Sequence, residues 1–461
     1  MKRAITCLII FLLTFSFASC RKTIDSTPIT AEPVDSHSAV PEQTNHEIDA
    51  SDTGFDPAGT ITPSATQRPS DPGPTYREVY DPETDFDNRF GRGNPGMAES
   101  EDAYYYISSH GNYVYYFDKF SEDRDVLCGK PECLHDKIEV NQECNGYVRS
   151  GAANIGYYCG KLYYIGYSTA GDSIVKHSLY RMNPDGTERK RLFPFTCESQ
   201  YFPGSFLLHR GKLYGWGNHE IVESAVPKFN LNISCWDLET GEQTLIYDRT
   251  DVVNYVQFSV FCFGKYIYMC DSLFYPDDPG KGTTVIIMRW DTETERLQTL
   301  YRGEGYSGEH YQIWVEAENR IYFASMANPA NYMISPVYCL CGGEVETAFT
   351  VDGHYSIFLI DGAVVFLYLP FNLEEHHAII TDYEGNVLYE GSWSIDALRE
   401  LSLDPAAAKA GFGAVYGDRE TIYVNYRFFA YRNGGINECI IRYHIRGGEI
   451  ADSKVLCAAR W

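Results

Sequence analysis

Seven times between residues 101 and 425 a tight turn is followed at once by a strand dense in aromatic and branched side chains. The copies are Glu101-Asp102 before AYYYI, Gly160-Lys161 before LYYIG, Gly211-Lys212 before LYGWG, Gly264-Lys265 before YIYMC, Asn319-Arg320 before IYFAS, Gly362-Ala363 before VVFLY and Arg419-Glu420 before TIYVN. A second register, a strand running into a turn, alternates strictly with the first: YYFDKFSED, LYRMNPDG, SCWDLETG, MRWDTETE, VYCLCGG, IITDYEGN and IRYHIRGG. Such a repeat constrains the fold more than any single motif, because one unit cannot bury its apolar faces alone whereas a stack of them can. Gly160, Gly211, Gly264 and Asn319 lie 51, 53 and 55 residues apart, which suits a four-stranded blade with an extended loop. Residues 95–461 are therefore expected to be all-β, a seven-bladed β-propeller of four-stranded antiparallel blades.

Each repeat supplies an inner strand (such as 154–158), the aromatic second strand, a third strand, and an outer strand such as 187–193. The third-to-outer hairpins carry Pro-Asp-Gly, Glu-Thr-Gly and Glu-Gly-Asn, whose Gly or Asn tolerates the positive φ that tight hairpins need. Blade 1 is complete with strands at 94–100, 103–107, 113–118 and 124–127, and 449–456 can finish blade 7, so strand exchange between the chain ends is left open. One helix is expected at 394–401, capped by Ser394, with Ile395, Leu398 and Leu401 on one face. Long loops between second and third strands, at 217–230, 271–282, 325–336, 369–377 and 425–437, share a face with the connection from blade 1 to blade 2.

The N-terminus follows the layout of a secretory signal: Lys2 and Arg3, an apolar run from Ala4 to Phe17, then Ala18 and Ser19 before Cys20. Its run of roughly sixteen residues is short for a membrane span, which needs about twenty. Phe17-Ala18-Ser19-Cys20 resembles the lipobox of bacterial lipoproteins, which implies a lipidated Cys20 at the mature N-terminus and a membrane anchor at the extracellular face. Residues 21–94 are rich in Thr, Ser, Pro, Asp and Glu and poor in large aliphatics, so the segment is expected to be a disordered stalk.

The hairpin LYRMNPDGTERKRLF is similar to the repeats of TolB-like and receptor-type propellers. Together with the lipobox, the stalk and the segment LCGKPECLHDKIEVNQECNGY, the chain resembles a family of uncharacterised Gram-positive lipoproteins with a β-propeller domain. The resemblance implies a fold and an anchored location and transfers no catalytic residue.

The formal charge of -25 and the lack of any Lys/Arg-rich run beyond the N-terminus exclude the basic footprint of a nucleic-acid binder. Of the 14 Cys, Cys128, Cys133 and Cys144 cluster with His135 in a C-x4-C-x-H-x8-C pattern. In an exported chain this pattern permits a disulfide such as Cys133 to Cys144, a tetrahedral metal shell, or free thiols. Cys159, Cys262, Cys270 and Cys439 fall in apolar strand patterns and are expected to be buried small hydrophobes. On the long-loop face, Glu374, Glu375, His376 and His377 form the densest polar group, and Phe274, Tyr275, Phe371, Trp393, Phe429 and Tyr431 are candidate stacking platforms. No G-x-S-x-G elbow, P-loop or H-E-x-x-H is present, no catalytic residue is assigned and no cofactor is expected. The expected function is a membrane-anchored, monomeric scaffold that binds a cell-envelope glycan, a peptide or a protein. The alternative is a propeller hydrolase or lyase acting on extracellular polysaccharide.

Overall fold

A strand with a blade on either side has no solvent face, and the second strands behave accordingly. In the computed structural model every residue of Ala103–Ile107 is buried, as are five of the six in Ala363–Tyr368. The outer strand Arg296–Tyr306, by contrast, is exposed or half-exposed at every position. This gradient from centre to rim explains why the second strands are continuous apolar runs rather than alternating ones. It also explains the charged side chains of the rim, which discourage edge-to-edge pairing.

The structure describes residues 61–63 and 72–460, apart from 91–95, 108–112, 134, 136–143, 149, 171–173, 196–204, 222–227, 252–254, 275–280, 307–309, 327–333, 354, 369–375, 403–409 and 429–435. The expected signal peptide, Cys20 and most of the expected stalk lie outside the described residues. Within them, seven antiparallel sheets follow one another along the chain: 97–126, 150–194, 205–251, 255–306, 311–352, 356–392 and 410–460. Each runs inner, second, third, outer in sequence order. Apolar clusters join consecutive blades all the way round, including one shared by blades 7 and 1. The chain is a seven-bladed β-propeller.

Recurrent turn chemistry supports the blades. Between inner and second strands, Cys159-Gly160 and Arg210-Gly211 are two-residue loops with positive φ at both positions, as a type I′ hairpin requires. Cys159 is thus an exposed turn residue rather than the buried strand thiol expected from its neighbours, whereas Cys262, Cys270 and Cys439 are buried. At three of the third-to-outer hairpins an Asp closing the third strand accepts two backbone N–H groups, from Phe120 and Ser121 at Asp118, from Glu239 and Thr240 at Asp237, and from Glu293 and Thr294 at Asp291. Those bonds hold all three carboxyls below their ordinary pKa. The helix expected at 394–401 is a 3-10 helix, Asp396–Leu401, with the Ser394 hydroxyl accepting the Asp396 N–H at 3.1 Å. The long loop expected at 217–230 is largely hairpin, since Lys212–Ile221 and Lys228–Asp237 pair in continuous register.

No strand is exchanged between the described chain ends, so the ring closes through side chains at the seam between blades 7 and 1. Tyr104 and Tyr423 share a hydrogen bond of 2.9 Å, Tyr106 donates to Glu438, and Arg124 donates to the Val455 carbonyl at 2.6 Å.

Residues 72–90, which the composition assigns to a disordered stalk, are instead packed against the ring as a strap. They cross the face that carries the inner-to-second turns and touch every blade. Glu318 and Asn319 of blade 5 donate to the Pro74 and Pro72 carbonyls. Tyr76, in the single-turn helix α1 (Tyr76–Val79), packs edge-on against Phe261 and Trp314. Arg77 pairs with Asp361 of blade 6, and Cys159 of blade 2 donates to the Glu83 carbonyl. Asp85 holds Arg210 of blade 3 at 2.6 Å. Asn88 lies against the inner strand of blade 4, its amide donating to the Cys262 carbonyl at 2.7 Å and accepting the Cys262 N–H at 3.0 Å. Arg89 pairs with Asp418 of blade 7 and Glu99 of blade 1. Upstream, Ile61–Pro63 adds a fifth strand to the outer edge of blade 5. The composition argument fails here because a few large side chains, Tyr76, Phe86 and Phe90, meet sites that only the assembled ring provides.

Two outcomes follow from the strap. Asn88→Ala leaves a buried N–H and C=O of Cys262 unpaired and is expected to cost about 2–4 kcal/mol in urea unfolding. Arg77→Ala, whose ion pair is exposed, should stay within about 0.5 kcal/mol. Equal effects of the two substitutions would contradict the strap contacts. The second outcome concerns His209, fully buried, whose Nδ1 accepts the Phe86 N–H at 3.0 Å while Nε2 faces the Gly264 carbonyl at 2.7 Å. Burial pushes its pKa down to about 4 against the opposing pull of Asp85. The unfolded chain takes up that proton near pH 6.5, so stability is lost as pH falls from about 6.5 to about 4. His209→Asn should lower stability at neutral pH and reduce that acid loss by on the order of 2–3 kcal/mol, read from urea midpoints across the pH range.

Candidate metal centre

Blade 1 passes the chain to blade 2 through 127–149, a connection that folds back onto the third strand of blade 1, Val114–Asp118. Leu127 N–H donates to the Val114 carbonyl at 2.8 Å, and Val114 N–H donates to the Gly146 carbonyl at 2.9 Å. The backbones meet so closely that a Cβ on Gly146 would lie 2.7 Å from the Leu127 carbonyl oxygen. These contacts bring Cys128 and Cys144 together from the two ends of the connection. A turn closed by Cys133 N–H on the Lys130 carbonyl, at 3.1 Å, returns Cys133 to the same point. His135 follows with φ +52°, a left-handed conformation that a non-glycine residue adopts at a cost. That conformation directs its ring back toward the cysteines.

The result is one compact donor set. The three Sγ atoms and a His135 nitrogen all lie within 4.8 Å of one another, with Nδ1 at 3.2 Å from Cys133 Sγ and 3.5 Å from Cys144 Sγ. None of the three cysteines is in a disulfide. Burial resists ionisation of Cys128, but N–H groups of Lys130 and Asn145 directed at its sulfur hold the thiol below its ordinary pKa. Burial and the neighbouring Cys128 push Cys144 up to about 12. Tyr113 presents its edge to the His135 ring, and Cys144 is buried in the apolar cluster shared by blades 1 and 7. Three sulfurs and one imidazole form the donor set of a closed tetrahedral site.

Of the other residues singled out in the sequence, Phe274, His376, His377 and Trp393 are among the described residues. His376 is buried, with no hydrogen-bond partner for either ring nitrogen among the described residues, and burial pushes its pKa down to about 4. His377 starts the third strand of blade 6, half-buried, with its ring centroid 6.5 Å from that of Tyr355. Trp393 is not a surface platform. It is 1 % exposed, lies against Tyr443, and donates its Nε1–H to the Tyr426 hydroxyl at 3.0 Å, filling the space between blades 6 and 7. Phe274 closes the second strand of blade 4. Glu374, Glu375, Tyr275, Phe371, Phe429 and Tyr431 lie outside the described residues.

Sequence reasoning missed the buried ion pairs. Among the described residues, the buried carboxylates are Asp85, Asp271 and Glu438. Each faces an arginine: Arg210 at 2.6 Å, Arg249 at 2.9 Å and Arg427 at 3.3 Å. A Glu inside the apolar strand NECIIRY was the available signal for the last pair.

No protein-family profile matches the sequence, and no curated protein matches it. Solved structures do align. An uncharacterized protein of Listeria monocytogenes EGD-e is 8% identical, over 64% of this chain and 81% of that one, with a TM-score of 0.38. An oligogalacturonate lyase in complex with manganese is 11% identical, over 73% and 83%, with a TM-score of 0.40. The β-propeller domain of the Trilobed protease from Pyrococcus furiosus is 12% identical, over 64% and 94%, with a TM-score of 0.37.

Proposed function

We propose that this chain is a binding module of the cell envelope, a monomeric propeller tethered by a lipid on Cys20 that takes a glycan, a peptide or a protein on its second-to-third-loop face. The observation that carries this reading is the asymmetry of the two faces. The strap contacts every blade on the side that carries the inner-to-second turns, and the ligand is therefore assigned to the opposite, loop-bearing side. Loops on a rigid scaffold are where ligand contacts are usually placed. The pairing of Asp85, Asp271 and Glu438 with arginines also favours binding over acid–base chemistry, because these buried carboxylates are already engaged in ion pairs within the scaffold.

The ligand reading is tested by glycan and peptide arrays run beside a turnover screen on extracellular polysaccharides. Binding without turnover is the expected result. Turnover abolished by a single carboxylate substitution would replace the binding module with an enzyme. The anchor is tested separately: labelled palmitate should enter the protein in cells and be lost in Cys20→Ala, and unchanged labelling in that variant would remove the tether.

A further inference from the structure

We infer that Cys128, Cys133, His135 and Cys144 bind a zinc ion that fixes the connection between blades 1 and 2 and, through it, the seam of the ring. The geometry is that of a metal shell. With metal–sulfur bonds of about 2.3 Å and metal–nitrogen bonds of about 2.0 Å, neighbouring donors of a tetrahedron lie roughly 3.5–3.8 Å apart. The 3.2 and 3.5 Å separations from His135 Nδ1 are close to that size, and every pair of donors lies within 4.8 Å, so small side-chain shifts complete the shell. Three thiolates with an imidazole favour zinc over calcium or magnesium, which take oxygen donors. Four protein donors leave no open position, so the site is structural rather than catalytic. Binding replaces the thiol protons, which pass to solvent as three Zn–S bonds form.

The alternatives at this cluster use the same atoms less completely. A disulfide between Cys133 and Cys144 would leave Cys128 and His135 without a role, and the left-handed backbone of His135 unexplained. Free thiols would rely on weak sulfur hydrogen bonds, such as those of Cys133 and Cys144 with His135 Nδ1, to hold three sulfurs at one point. A metal accounts for all four residues and for the φ of His135 together.

The test uses the full chain, purified under reducing conditions without chelator. Elemental analysis should find one zinc ion per chain. Cobalt(II) added to the stripped protein should give the visible absorption of a tetrahedral thiolate site. Cys133→Ser and His135→Ala should each lose the metal, His135→Cys should retain it, and Cys159→Ser, at an exposed turn outside the cluster, should be unaffected. Because a variant can fail to fold for other reasons, the unmodified protein supplies the second measurement. Cys128, Cys133 and Cys144 should resist alkylation until a chelator is added, and the chelated protein should unfold several degrees lower. A metal-free protein in which all three thiols alkylate freely would overturn the inference. So would a Cys133–Cys144 link in a metal-free protein, or a bound metal other than zinc.

Discussion

A ring of blades is stable only if its last interface is as good as the others, and here, among the described residues, that interface closes without a shared strand. In a propeller closed by strand exchange, backbone hydrogen bonds carry the seam. In this protein side chains do so: the Tyr104–Tyr423 pair, Tyr106 on Glu438 with Arg427 behind it, and Arg124 on the Val455 carbonyl. Each neutral bond is worth about 0.5–1.5 kcal/mol net, and charged ones about 1.5–3. These polar contacts therefore set the register of the seam, while its cohesion comes from the apolar cluster that includes Tyr106, Tyr416, Ile440 and Leu456. Removing one charged partner costs more than the pair contributes, since the survivor is left buried.

The strap adds a restraint of a different kind. A segment that touches all seven blades resists opening of the ring at any one interface, because a blade cannot move away without breaking its own contact with 72–90. The same segment gives the two faces of the propeller different chemistry. Asn88 satisfies an inner-strand N–H and C=O of Cys262 on the side that carries the inner-to-second turns.

The blades were legible in the sequence because burial on both faces forces a composition that repeats: aromatic second strands, Asp-closed third strands, and Gly or Asn turns. Local rules of that kind are short-range and can be read from neighbours. The strap was not legible, since Tyr76, Phe86, Asn88 and Phe90 are too sparse to signal order by themselves. Their partners, Phe261, Trp314, His209, Cys262 and Tyr423, come from far along the chain. Trp393 was misplaced for a related reason: it follows a strand and looks like a loop residue, but the neighbouring blade supplies Tyr426 and Tyr443 to cover it. The Cys/His cluster was legible as a set of residues and not as a geometry, because C-x4-C-x-H-x8-C does not itself specify the left-handed His135 that brings the fourth donor in.

The position of that cluster follows from the weakness of blade 1. Its inner and outer strands, Met97–Glu99 and Arg124–Val126, have three residues each, whereas the outer strand of blade 4 has eleven. A blade with so few ladder hydrogen bonds contributes little to its own stability, yet it must form one side of the seam. Both reinforcing devices attach to it, and at opposite ends. On the turn face, Glu99 gathers Arg89 of the strap and Lys119 of the third-to-outer turn. On the loop face, the returning connection pairs with Val114 and Tyr113 and places Cys144 in the cluster shared with blade 7. A shell of four donors there shortens the effective length of a long connection and removes conformational freedom from the unfolded chain. It also completes the cluster against which blade 7 closes, so the shortest blade is held where the ring has least backbone pairing to hold it.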